Sequence, residues 1–167
     1  MSTILEYIRP VHAGASAFIA AGEDIFNGSP ASDVVNLENA EGIVFVIALG
    51  ENAGSGAATI TVLACDDVTP NNTTAVAFTY QILSASDVLG AATAATSSGL
   101  AAVGTADTVT IISVSAATIA AASVNSTVGN PYVQLKCTET QSDAVDGGIT
   151  AYLYGLRFAP LTATQLV

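Results

Sequence analysis

Hydrophobic residues in this chain fall into short runs and alternations, broken at close intervals by Gly, Pro, Asn and Asp. Gly42-Ile-Val-Phe-Val-Ile-Ala-Leu-Gly50 sets an unbroken apolar run between two glycines. Its β-branched and aromatic content predicts a strand buried on both faces. Glu51-Asn-Ala-Gly-Ser-Gly56 is rich in turn formers, and Ala58 to Cys65 follows with Ile60, Val62 and Ala64 on one face. Thr59, Thr61, Leu63 and Cys65 take the other face, and the two segments read as the clearest β-hairpin in the chain. From Thr74 to Leu83, Val76, Phe78, Tyr80 and Ile82 alternate against Ala77, Thr79 and Gln81, which predicts one more strand.

The rest of the chain is less regular. Ser84 to Gly104 is built almost wholly from small residues without a period, and reads as a long surface excursion holding no more than a short strand. Thr108 to Val114 is a strand, and Ser115 can cap a short helix over Ala116–Ala122, its hydroxyl accepting an orphan backbone N–H. Pro131 opens a strand from Tyr132 to Thr138, Asp143 to Gly148 forms a turn, and Ile149 to Phe158 is the last strand. Before residue 35, Pro10, Gly14, Gly22, Asn27-Gly28 and Ser29-Pro30 interrupt any pattern, so residues 1–34 read as an extended N-terminal arm with one or two short strands. Residues 35–167 then form the domain. About seven strands at short spacing, one minor helix and no βαβ alternation make the fold class all-β: an antiparallel β-sandwich or jelly-roll-like barrel.

Composition narrows the function. Of 167 residues, 14 are Asp or Glu and only 3 are Lys or Arg, a net charge of −11. Nucleic-acid binding of the usual kind needs a Lys/Arg surface that displaces counterions from phosphates, so it is excluded. No window supplies the ~20 mostly apolar residues of a membrane-spanning helix. The first residues, Met1 to Pro10, lack a basic segment followed by an apolar one, so synthesis in a cytoplasm without that route of export is expected. Charged residues make up only 10% of the chain, which leaves Thr, Ser, Asn and Gln to build the polar surface. Such short uncharged side chains lose little entropy on being ordered, and interfaces are depleted in Lys, Glu and Asp.

Candidate chemistry is sparse. His12 is the sole histidine, so any Ser-His-Asp or Cys-His arrangement would have to use it, and it lies among breakers in the arm. Asp66-Asp67, Glu23-Asp24 and Asp143 with Asp146 are the available carboxylate pairs. A glycosidase would add aromatic stacking surfaces, which this Trp-free chain scarcely offers. A cation at Asp66 or Asp67 lacks the ladder of an EF-hand loop, and solvated loop charges account for them. Gly54-Ser55-Gly56 joins two strands with no Lys-Ser/Thr following, so it is a turn and not a phosphate loop. Cys65 and Cys137 have no partner ligands for zinc and read as buried free thiols, with a disulfide between them the alternative. No catalytic residue, metal site or cofactor is expected.

Several short elements in order carry a family resemblance: Val35-Asn-Leu-Glu-Asn-Ala-Glu-Gly-Ile-Val-Phe-Val-Ile47, Ala58-Thr-Ile-Thr-Val62, Cys65-Asp-Asp67 and Ala77-Phe-Thr-Tyr80. Ile112-Ser-Val-Ser-Ala116, Tyr132-Val-Gln-Leu135 and Leu156-Arg-Phe-Ala-Pro160 complete the series. Over about three quarters of its length the chain resembles small virion proteins of tailed bacteriophages, in particular capsid decoration (cement) proteins. The resemblance implies a β-rich, non-enzymatic protein on the outside of the head that clamps neighbouring capsomers. Its partner would be the major capsid protein, and such proteins commonly act as dimers or trimers. A phage head-completion or tail protein, and a non-viral cell-surface binding module, are the alternatives. The arm, at up to ~3.3 Å per residue, is expected to reach beyond its own domain. Arg9, His12, Arg157, Tyr152 and Tyr154 are the candidate interface residues, with Lys136 a weaker one, because Arg and Tyr are enriched where partners meet.

Overall fold

A computed structural model describes residues 8–11 and 24–156, and places eleven strands and one helix among them. In chain order the strands are β1 (Ile8–Val11), β2 (Val35–Asn36), β3 (Gly42–Asn52), β4 (Ala57–Cys65), β5 (Thr73–Val76) and β6 (Phe78–Leu83). They continue with β7 (Thr93–Ala95), β8 (Leu100–Val103) and β9 (Val109–Ser115), then helix α1 (Ala116–Ala121), β10 (Tyr132–Gln141) and β11 (Val145–Tyr154). One sheet has six strands in the order β1-β11-β3-β9-β6-β7. The other has five, with β2-β10-β4-β5 in a row and β8 on the same edge of β4 as β5. All the ladders are antiparallel, and the two sheets form an all-β sandwich with free edge strands, not a closed barrel.

The core lies between the sheets and follows the alternation of each strand. Ile43, Phe45 and Ile47 of β3 meet Ile149, Ala151 and Leu153 of β11 and Ile112 and Val114 of β9 on the inner face of the six-stranded sheet. Ile60, Val62 and Ala64 of β4 pair with Cys137, Leu135 and Val133 of β10 opposite them, all with no exposed surface. Burying such side chains, at roughly 1.5–3 kcal/mol each, is what holds two sheets of short strands together. Helix α1 closes one end. Ser115 caps it as the sequence predicts, its Oγ accepting the Thr118 N–H at 3.1 Å, and Ile119 fills the gap beneath.

Four expectations change. The segments around Gly54 do not form a hairpin. β3 pairs with β11 and β9, β4 pairs with β10, β5 and β8, and the link between them crosses from one sheet to the other as an arch. Both strands still turn one apolar face to the core, and alternation alone does not say whether that face lies beside its neighbour or across from it. Second, β3 is buried on one face only: Val44 and Val46 are half-buried and Ala48 is exposed. Third, Thr74–Leu83 is two strands in different sheets, switching at Ala77; the alternation runs through because both inner faces address the same core. Fourth, the excursion from Ser84 contains β7 and β8, and the glycines 147 and 148 belong to the bulged start of β11 and not to a turn.

The arm is laid along the chain's own sandwich wherever it is described. β1 pairs with β11 along Ile8↔Tyr154 to Val11↔Ala151. Ile25 and Phe26 are fully buried, the Ile25 N–H donates to the Val145 carbonyl at 3.0 Å, and the Cys137 N–H donates to the Pro30 carbonyl at 2.9 Å. These segments therefore contribute to the core on the near side of the boundary expected at residue 35. No helix among the described residues is long and apolar enough to cross a membrane.

Candidate functional site

Alternation along β11 sends Ala151 and Leu153 into the core and leaves Tyr152 and Tyr154 on the outer face of the six-stranded sheet. Register extends that face strand by strand. One row runs Tyr152, Val44, Ser113, Thr79, Ala94; the next runs Thr150, Val46, Ile111, Gln81; a third runs Gly148, Ala48, Val109, Leu83. Tyr154 closes the face at the helix end, lying across Gly42, where a Cβ would collide with its phenol and with the Val114 carbonyl. Not one position of this grid is charged. Its half-buried Val44, Val46, Val109, Ile111 and Leu83 form a contiguous apolar band of the kind that marks contact surfaces. A depression of about 400 Å³ continues it between Thr79, Ala94, Ser113, Ser115, Thr118 and Tyr154.

Four carboxylates gather elsewhere, while Glu38 and Glu41 stand at the helix end. At the end opposite the helix, Asp87 follows β6, Asp107 precedes β9, Glu51 is next to last in β3 and Asp146 is second in β11, so adjacent strands each bring a carboxylate to one rim. Asp146 stands beside Gly50, at the margin of the charge-free grid. Next to Asp87 an apolar tip is exposed. The β6–β7 connection is tied by Ser84 N–H to Val88 O (3.1 Å), Asp87 N–H to Ser84 O (3.0 Å) and Gly90 N–H to Ile82 O (2.8 Å). It holds Val88 63% exposed, Leu89 51% and Ile82 39%. Ile82 also lines a cleft of about 280 Å³ with Leu100, Ala101, Val103, Thr108 and Thr110, at the open side of the sandwich beyond the short β7.

The loops at this rim are braced by side-chain hydrogen bonds. Asn52 Nδ2 donates to the Gly56 carbonyl at 2.8 Å and to the Gly104 carbonyl, while its Oδ1 accepts from the Gly54 and Gly56 N–H groups. The Ser55 N–H and hydroxyl both donate to Asp143 Oδ2, at 2.8 and 3.1 Å, and hold that carboxyl below its ordinary range. Gly104 lets the β8–β9 link press directly on the backbone of Gly56 and Ala57.

The other candidates are dispersed. Arg9 occupies the β1 position registered with Leu153; His12 and Arg157 lie outside the described residues. Lys136 is exposed on the outer face of the five-stranded sheet, opposite Thr61, on the far side of the sandwich from Tyr152. Asp66 accepts from Asn72 Nδ2 at 2.8 Å, and this bond leads in lowering its pKa. Cys65 and Cys137 are free and buried, and burial pushes both thiols up to about 12, with Asp66 adding to the effect at Cys65. Cys65 is registered with Tyr132 and Cys137 with Ile60. That offset of five positions, about 16 Å along the ladder, is far beyond disulfide reach. Among the described residues no three His, Cys, Asp or Glu side chains gather to hold a metal ion.

The described residues thus define the class, an antiparallel two-sheet sandwich with an apolar outer face and an acidic, apolar-tipped rim. No protein-family model, curated protein or solved structure matches the chain.

Proposed function

We propose that this chain is a structural virion protein that decorates the outside of a phage head and holds neighbouring capsomers together. One observation carries the reading beside the resemblance in sequence: the rim tip of Val88, Leu89 and Ile82, exposed on a hydrogen-bonded hairpin that also carries Asp87. Fixing large apolar side chains in water is unfavourable, and covering them on a partner recovers that cost. Asp87 in the hairpin and Asp107, Glu51 and Asp146 along the same rim suit a protein surface with an apolar pocket bordered by Lys and Arg. In this reading the major capsid protein supplies that surface, repeated over the shell.

The experiment uses purified full-length protein and empty, expanded heads of the phage or prophage whose genes surround its own. Saturable co-sedimentation, with a copy number that scales with the capsomers, is expected. The double variant Val88→Ser, Leu89→Ser should weaken binding tenfold or more, and raised salt should weaken the wild type as paired charges are screened. Absence of binding overturns the reading. So does attachment of a few copies at one vertex or along a tail, which would assign the chain to head completion or to the tail.

A further inference from the structure

We propose that the cleft beside the rim tip is a socket for a phenol ring, carried by a tyrosine of the protein surface that covers Val88 and Leu89. The socket arises where the strands run out. β7 pairs only with Phe78–Tyr80 of β6, so Ile82 lies beyond its last ladder partner on that edge. Across the gap, β8 follows β4 in a broken register, Ala58↔Val103 and Ile60↔Leu100. Between them opens the cleft of about 280 Å³, walled by Leu100, Ala101 and Val103 on one side and by Ile82 and Thr110 on the other. Thr110 decides what fits. It takes an inward position of β9, in register with Ile47 and Ile82, and is 2% exposed. Its hydroxyl meets no donor or acceptor among the described residues, whereas the Thr108 hydroxyl at the same cleft donates to the Thr105 carbonyl at 2.6 Å. A buried hydroxyl without a partner costs stability, and a ligand that brings a polar group to it recovers that cost.

The walls set the rest. No lining residue is charged, so an ionised group would be desolvated there without a counter-charge. An aliphatic side chain would fill the cleft and leave the Thr110 hydroxyl unpaired. Ser or Asn is too short to carry its polar group past Ile82. Tyrosine has an apolar body that ends in a hydroxyl, and its ring loses little entropy on being fixed. The volume lies just below the roughly 300–1,000 Å³ of small-molecule sites, which leaves room for one ring. Ile82 belongs both to the exposed tip and to the cleft, so a surface that covers the one reaches the other. The source of the ring therefore rests on the attachment proposed above, while the chemistry of the socket is read on the protein alone.

The test titrates the full-length protein with N-acetyl-tyrosinamide and with N-acetyl-phenylalaninamide, followed by backbone amide NMR shifts. The tyrosine amide should bind saturably with a dissociation constant of about 1–10 mM, ordinary for one ring, and shift Ile82, Leu100, Val103 and Thr110. The phenylalanine amide should bind about fivefold more weakly, the equivalent of one hydrogen bond. Thr110→Val should abolish that preference and raise the Tm of the free protein by about 2–4 °C, while Thr110→Ser should keep the preference. On heads, Thr110→Val should weaken attachment about fivefold. The absence of a saturable shift at these residues, or equal affinity for the two amides, overturns the socket. A Thr110→Val variant less stable than wild type does so as well, because the hydroxyl is then already satisfied. Head attachment indifferent to Thr110→Val overturns a partner tyrosine as the source of the ring. Failure of the wild type to bind heads, with the preference between the amides intact, would strike the proposed function and leave the socket standing.

Discussion

Replacing Asn52 by alanine removes four hydrogen bonds from the arch that sends β3 and β4 into different sheets. The Gly54 amide is exposed and recovers its partner from water, but Gly56 and Gly104 are buried. Three backbone groups, the Gly56 N–H and the carbonyls of Gly56 and Gly104, are therefore left unsatisfied. At about 1 kcal/mol each, the low end for a buried polar group, the loss is about 3 kcal/mol. That corresponds to a fall in Tm of roughly 6–12 °C for a chain of this size. Asn52→Asp sharpens the test. It keeps an acceptor for the Gly54 and Gly56 amides but turns a charged oxygen toward two carbonyls. At neutral pH it should be no more stable than the alanine variant, and it should regain stability on acidification as the protonated carboxyl becomes a donor. Equilibrium urea unfolding followed by far-UV circular dichroism measures both, with unchanged denaturant slope showing that the native state is what changed. An alanine variant within about 0.5 kcal/mol of wild type, or an aspartate variant equal to wild type at neutral pH, would refute the role assigned to this side chain.

Two further predictions follow from ionisable groups. Asp143, held below its ordinary value of 3.8 by the Ser55 amide and hydroxyl, contributes stability that is present above that value and lost as pH falls through its lowered pKa. The acid limb of the stability profile should therefore be shallower in Asp143→Asn, and identical limbs would count against the Ser55 pairing. Cys65 and Cys137, raised by burial from 9.0 to about 12, favour the folded chain fully below pH 9 and progressively less as pH climbs toward 12. At pH 8 neither should react with a disulfide reagent until denaturant is added, when both should; rapid labelling of the native chain would contradict their burial.

The candidate surfaces were only partly legible beforehand. Tyr152 and Tyr154 are alternate residues of one strand, and any β reading puts them on one face. Their neighbours Val44, Val46, Val109 and Ile111 sit within runs that read as core. What marks them is the lack of any charge among the outward positions of three separated segments, a signal visible only once register aligns them. Val88 and Leu89 lie inside a stretch of small residues, where nothing local distinguishes a buried pair from an exposed one.

Local sequence settled the class of structure and many of its parts. β-branched alternation makes strands whatever their partners, Ser115 caps its helix through a bond three residues away, and a scarcity of Lys and Arg fixes the sign of the surface. Which strand lies beside which was decided only in three dimensions. Period-two patterning specifies a face toward the core but not the sheet that supplies it, so an arch and a hairpin at Gly54 look alike in the sequence. The choice rests on contacts between distant residues: Asn52 with Gly104, Ser55 with Asp143, and Val46 with both Thr150 and Ile111. Those contacts also gather uncharged outward residues into one face and four carboxylates onto one rim, an arrangement that no single segment contains.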